Sequence, residues 1–238
     1  MQLFKTLGEL GYPRLVFSSS ASIYDVVPGF MVNEESPLKP LSPYARTKYM
    51  MEMVLKDFCQ AYGLKGIALR YFNPIGADPK MRTGLHVKNP SHLIGKLVQV
   101  ALGKEPVFHL TGIDWPTRDG SGIRDYLHVW DLAQAHLKAV LNFDSAVENG
   151  KADAVDYTVI NLGSQNGVTV KEFVKAFETV FGKAIPTEIK PARPGDIAGS
   201  YANADKAERL LGWKVEKTTE DGIRDALRWG EIRDLILG

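Results

Sequence analysis

Ser20, Tyr44 and Lys48 are the residues whose types and spacing suggest chemistry. The stretch LVFSSSASIY (15–24) begins as a short apolar run, Leu15 to Phe17, of the kind that makes a buried strand. It then breaks into three hydroxyls, Ser18, Ser19 and Ser20. Tyr44 and Lys48 follow in SPYARTK, four residues apart. On a helix, positions i and i+4 share a face. An ammonium beside a phenol favours the phenolate, and a phenolate can take a proton from an alcohol or sugar hydroxyl. Each feature alone has a plain alternative: a polar loop after a strand, and an ordinary solvated helix face.

The elements that must position these groups alternate. Leu3, Phe4, Leu7 and Leu10 lie on one face of a helix over 1–10, and a strand over 14–19 follows. Ser42 offers an N-cap with Pro43 in the first turn, opening a helix to about Tyr62. GIALRYF (66–72) and YTVINLG (157–163) read as further buried strands. Ser91 is expected to cap a helix running to about Leu102, and another helix is expected to begin near Asp131. Thr169 with Glu172 forms a capping box for 170–181, and Thr218 with Asp221 forms one for the last helix, after a helix beginning near Asn203. Buried strands separated by helices predict an α/β fold with a parallel sheet. Ligands in such sheets sit beyond the carboxyl ends of the strands, where the three serines fall.

Composition narrows the class. The chain has 238 residues, 45% hydrophobic, with 29 basic and 28 acidic side chains. That near-balance creates no field favouring nucleic acid or an anionic membrane. Locally placed arginines would have to hold any phosphate. The single cysteine, Cys59, excludes an internal disulfide or a cysteine metal cluster, fits a reducing compartment such as the cytoplasm, and is expected to be buried and inert. Nothing in the sequence points to a metal site.

The order of these motifs resembles the extended short-chain dehydrogenase/reductases, and more narrowly the UDP-glucose 4-epimerase family. The resemblance runs through SSSASIY, SPYARTK, LRYFNPIGA (69–77), PTRDGSGIRDYLHVWDLA (116–133), INLG and RPGDIAGSYAN (193–203). It implies an NAD-dependent isomerase of galactose metabolism, interconverting UDP-glucose and UDP-galactose through a 4-keto intermediate. Ser20, Tyr44 and Lys48 would be the catalytic triad, with Ser20 aligning the sugar 4-oxygen, Tyr44 taking its proton and Lys48 holding the nicotinamide ribose. Ser18, Ser19, Tyr71 and Phe72 would complete the cofactor side. Asn73, His92, Leu93, Arg124, Arg193, Asp196 and Ser200 would contact the UDP-sugar, the two arginines on its pyrophosphate. Relatives that dehydrate sugars carry Asp-Glu after the hydroxyl residue, and decarboxylating ones keep the glutamate. Ala21 and Ser22 stand there in this chain and cannot do that proton chemistry.

Departures from the family pattern carry expectations too. His92 replaces an asparagine, and Thr111 replaces a common aromatic near the uracil. Ser200 stands where some members carry a tyrosine, which leaves room for an N-acetyl group and extends the expected substrates to UDP-N-acetylhexosamines. Family members pair through the helix carrying Tyr44 and Lys48, so Tyr49, Met50, Met53, Val54 and Phe58 would supply a homodimer surface, or else core.

The family's opening strand and Gly-x-x-Gly-x-x-Gly turn have no counterpart. Gly8 and Gly11 read as a helix stop. The sequence is therefore expected to match the C-terminal two-thirds of an epimerase: residues 1–75 the latter part of an NAD-binding Rossmann domain, and 76–238 mainly the nucleotide-sugar domain, with 125–165 returning to the Rossmann sheet. The alternative expectation is a non-catalytic or truncated nucleotide-sugar-binding fragment.

Overall fold

The computed structural model describes residues 2–193 and 195–237. In chain order the elements are α1 (Gln2–Glu9), β1 (Arg14–Ser18), a 3-10 turn at Ala21–Ile23, β2 (Met31–Val32), α2 (Pro43–Tyr62), β3 (Lys65–Tyr71), β4 (Asn73–Ile75), α3 (Leu93–Ala101), β5 (Phe108–Thr111) and β6 (Ile123–His128). There follow α4 (Val129–Leu141), α5 (Phe143–Gly150), β7 (Tyr157–Leu162), β8 (Gly167–Thr169), α6 (Val170–Phe181), β9 (Thr187–Lys190), β10 (Tyr201–Ala202), α7 (Asp205–Leu211) and α8 (Thr219–Leu237).

The three apolar runs form one parallel sheet, β1-β3-β7, with Val16 beside Ile67 and Ile67 beside Thr158. Central β3 is buried on both faces, which is why its sequence is a continuous apolar run rather than an alternating one. One face packs on α1 and α2 through Phe4, Leu55, Cys59 and Leu64. Gly66 lets α2 lie close: a Cβ there would sit 3.1 Å from Leu55 and 3.2 Å from the Cys59 sulfur. Ile67 and Leu69 face the other way, towards Ala135, Ala139, Phe143 and Val147 of α4 and α5. Of the segment 125–165, Tyr157–Leu162 lies in this sheet, whereas β6 pairs in parallel with β4 and antiparallel with β8.

A second core joins β4, β5 and β6 to α3, α6 and α8 around Ile75, Leu97, Phe108, Tyr126, Phe173 and Ile223. The predicted capping boxes are in place. Thr169 and Glu172 satisfy each other's backbone N–H groups at the start of α6, and Thr218 and Asp221 do the same before α8. Two helix starts differ from expectation. His92 rather than Ser91 occupies the cap of α3, in extended backbone and without a side-chain cap bond. At α4 the His128 ring caps the Trp130 N–H, at 2.9 Å. Asp131 is instead turned to the chain after α7, where its carboxylate accepts the Glu216 and Lys217 N–H groups. Among the described residues, no helix is long and apolar enough to cross a membrane, and no three His, Cys, Asp or Glu side chains group as metal ligands.

Candidate active site

Beyond the carboxyl end of β1, the chain turns under the first turns of α2. Ser19 continues the strand bonding through its N–H to the Leu69 carbonyl, at 2.9 Å. Ser20 caps the 3-10 turn, its oxygen accepting the Ser22 N–H at 3.2 Å and paired with the Ser22 hydroxyl at 2.9 Å. Above it, Ser42 accepts the Ala45 N–H at 3.0 Å and Pro43 sits in the first turn, fixing where α2 begins. Tyr44 and Lys48 consequently share a face. The Lys48 Nζ lies 5.6 Å from the centroid of the Tyr44 ring and 5.4 Å from that of Phe17. It donates to the Ser18 carbonyl at 2.8 Å, tying helix to strand end. Tyr44 itself is 52% exposed.

The hydroxyls of this mouth do not all face it. Ser18 Oγ bonds the His136 ring at 3.2 Å, and the Tyr71 ring lies 6.1 Å from that imidazole. Burial raises the Tyr71 phenol above its ordinary range. Ser19 is fully buried, and its hydroxyl donates to Glu52. Phe72 is buried in the core cluster with Leu127 and Leu162, and the neighbouring Tyr71 is half-buried.

Glu52 anchors a network that the sequence did not signal. One turn beyond Lys48, it pairs with Arg70 of β3 at 2.6 Å, with both side chains at most 5% exposed. Arg70 also donates to the Tyr24 oxygen at 3.0 Å, and Tyr24 donates to Asn161 at 2.7 Å. Burial alone would depress the Arg70 guanidinium, but the hydrogen bond and charge of Glu52 outweigh it and hold the group protonated. Burial likewise pushes the Tyr24 phenol up to about 12. A buried pair of this kind is costly to break by halves, so it fixes α2 in register with β3.

A second group forms where β6 meets the loop before β10. Arg124 is half-buried; desolvation pushes its guanidinium below the ordinary range, and it donates to the carbonyls of Ile123 at 2.7 Å and Ala198 at 2.8 Å. In the same loop the Arg193 N–H bonds the Asp196 carboxylate at 3.0 Å, and the Asp196 N–H returns to the Arg193 carbonyl at 3.0 Å. Gly199, at φ +115°, permits this approach, since a Cβ there would collide with the Ile123 carbonyl and the Arg124 guanidinium. Next to Arg124, buried Asp125 accepts the Ala202 N–H at 3.0 Å, which sets Ser200 just before β10. Arg124, Arg193, Asp196 and Ser200 are thus brought together. Asn73 opens β4 opposite Tyr126, two residues along β6 from Arg124. His92 is exposed and Leu93 half-buried at the start of α3.

Residues 1–163 match the model of the NAD dependent epimerase/dehydratase family. The chain is 41% identical over 229 residues to the UDP-glucose 4-epimerase of Bacillus subtilis, covering 95% of this chain and 65% of that protein. It is 39% identical to UDP-glucose 4-epimerase 2 of Arabidopsis thaliana, covering 95% of this chain and 63% of that one. The chain thus spans a little under two-thirds of the curated relatives it matches. Among solved structures it superposes on the Stenotrophomonas maltophila UDP-glucose-4-epimerase with bound NAD and formylated UDP-arabinopyranose, with a TM-score of 0.89 at 37% identity over 98% of this chain and 68% of that one. The Bifidobacterium longum UDP-glucose 4-epimerase in complex with NAD+ and UDP gives 0.88 at 36% identity, over 99% and 68%. The chain belongs to the NAD dependent epimerase/dehydratase family.

Proposed function

We propose that this chain carries the reacting residues of an NAD-dependent UDP-glucose 4-epimerase. The observation that carries the reading is Lys48, bound to the Ser18 carbonyl and seated beside the Tyr44 ring, just above the turn that holds Ser20. In this reading its ammonium stabilises negative charge developing on the Tyr44 oxygen.

The residues that fit NAD are those of its nicotinamide end: Lys48 and Tyr44 for the ribose side, with Ser18 and Tyr71 at the mouth. When bound, NAD supplies the acceptor and later the donor of the sugar C4 hydride. Tyr44 then takes the proton of the 4-hydroxyl and returns it at the end of the cycle. Ser20 hydrogen-bonds the 4-oxygen and keeps it aligned while it is a ketone. Ala21 and Ser22 offer no acid or base for elimination, so the cycle ends in epimerisation. Arg124, Arg193 and Asp196 hold the nucleotide, and Asn73 contacts the sugar nucleotide. For Arg124 this means exchanging its present carbonyl acceptors for phosphate oxygens, which suit a guanidinium fork better. Ser200 leaves space beside the sugar, so UDP-N-acetylhexosamines are substrates too. The protein works in the cytoplasm as a homodimer paired through α2, where Met50 and Met53 are exposed; Phe58 is occupied against Phe4, with ring centroids 5.6 Å apart.

A second reading, a nucleotide-sugar-binding chain without activity, is favoured by one feature: among the described residues β1 is an edge strand of its sheet. Calorimetric titration with UDP, together with assay of bound NAD and of UDP-galactose turnover, separates the two. Turnover with bound NAD supports the enzyme, and UDP binding with neither supports the second reading.

A further inference from the structure

A cavity of about 350 Å³ lies between α3, α8 and the chain that follows β4. Ser20, Tyr44, Lys48, Arg124 and Asp196 do not line it. Glycines build its wall. A Cβ on Gly84 would press on the Trp229 indole at 2.6 Å, and one on Gly95 would meet Pro90 at 2.5 Å, so the backbone is drawn up against both rings. The wall is also pinned to α8. The Trp229 indole N–H donates to the Leu85 carbonyl at 3.0 Å, and Arg233 donates to that of Val87 at 3.3 Å.

The lining is mainly apolar, with Leu85, Ile94, Val98, Leu102 and Trp229, and Gln99 is the amide among its polar side chains Asp78, Thr83, His92, Gln99 and Arg233. Gln99 is 8% exposed. Its carbonyl accepts the Lys104 and Glu105 N–H groups, and its side chain lines the cavity. Its amide supplies both a donor and an acceptor to a mainly apolar space. The charges on the rim are already matched: Arg233 is paired with Asp234 and Asp78 with Arg82. The cavity therefore does not select an ion. Its volume falls in the lower range of small-molecule sites, which are lined predominantly by apolar and aromatic side chains.

We propose that this cavity is a ligand site in its own right, for a compact, neutral aromatic molecule whose single hydroxyl group bonds the Gln99 amide. The site does not depend on the epimerase reading.

The test is calorimetric titration of the whole chain with 1-naphthol and with 1-methylnaphthalene, which matches it in shape but lacks the hydroxyl. Saturable binding of one 1-naphthol per chain is expected. Gln99→Leu should weaken 1-naphthol about fivefold while leaving 1-methylnaphthalene unchanged or tighter, as loss of one neutral hydrogen bond predicts. Val98→Phe, which fills the cavity, should abolish binding of both; if that variant does not fold, Gln99→Leu carries the test, being close in volume. Saturating UDP should not displace 1-naphthol. Absence of saturable binding, or binding indifferent to Gln99→Leu, would overturn the proposal. So would displacement by UDP, because His92 on the rim would then make the cavity part of the nucleotide-sugar site.

Discussion

The Lys48 ammonium donates to the Ser18 carbonyl at 2.8 Å while its parent helix carries Tyr44 one turn earlier. This one bond couples the carboxyl end of β1 to the face of α2. Changing Lys48 should therefore affect chemistry more than binding. Lys48→Met and Tyr44→Phe are each expected to lower kcat about 10²–10⁴-fold, the usual range for losing a proton-transfer group or its support. UDP affinity, measured by titration calorimetry, should change little in either variant.

Glu52 predicts a structural effect of a different size. Removing it leaves the Arg70 guanidinium buried without its carboxylate. Glu52→Ala should cost about 3–5 kcal/mol in urea unfolding. The double variant Glu52→Leu/Arg70→Met should recover most of that loss, because both charges then leave the interior together.

Ser200 tests sugar selectivity. Ser200→Tyr is expected to depress kcat/KM for UDP-N-acetylgalactosamine by about tenfold or more while sparing UDP-galactose, as steric exclusion at one site predicts. Equal losses for both sugars would separate Ser200 from the sugar's C2 side.

Acid stability should follow Glu172. Its carboxyl is held below the ordinary carboxylate range by Arg118 first, and also by the Thr169 N–H. A carboxylate with a depressed folded-state pKa contributes fully above the unfolded value and loses that contribution as pH falls through the folded one. Urea midpoints of the native chain should therefore drop between about pH 5 and 3. Glu172→Gln should start lower at pH 7 and fall less over that interval.

Cys59 should be unreactive. Burial pushes its thiol up to about 12, so little thiolate exists at neutral pH. Ellman's reagent at pH 8 is expected to modify it slowly in the folded chain and rapidly in urea.

Local signals made much of this legible in the sequence. Ser42 with Pro43, Thr169 with Glu172 and Thr218 with Asp221 each carry their partners within three residues, and the structure makes each cap. The three parallel strands announced themselves as apolar runs. Contacts across the fold gave no such signal. Nothing in the order Ser18-Ser19-Ser20 told that the middle hydroxyl turns inward to Glu52, 33 residues away. Strands of two or three residues, such as β2, β4 and β10, exist through their pairing partners and have no periodicity to read. The helix α5 was missed because only Asn142 separates it from α4. The amide of Gln99 lay hidden within a helix pattern, since only α8 and the loop after β4 reveal what it faces.

The most direct test is to purify the chain, release and assay its bound NAD, and follow UDP-galactose conversion beside Tyr44→Phe. Close to one NAD per chain is expected, with conversion to UDP-glucose that the variant loses. UDP bound without NAD, and UDP-galactose left unchanged, would contradict the epimerase reading.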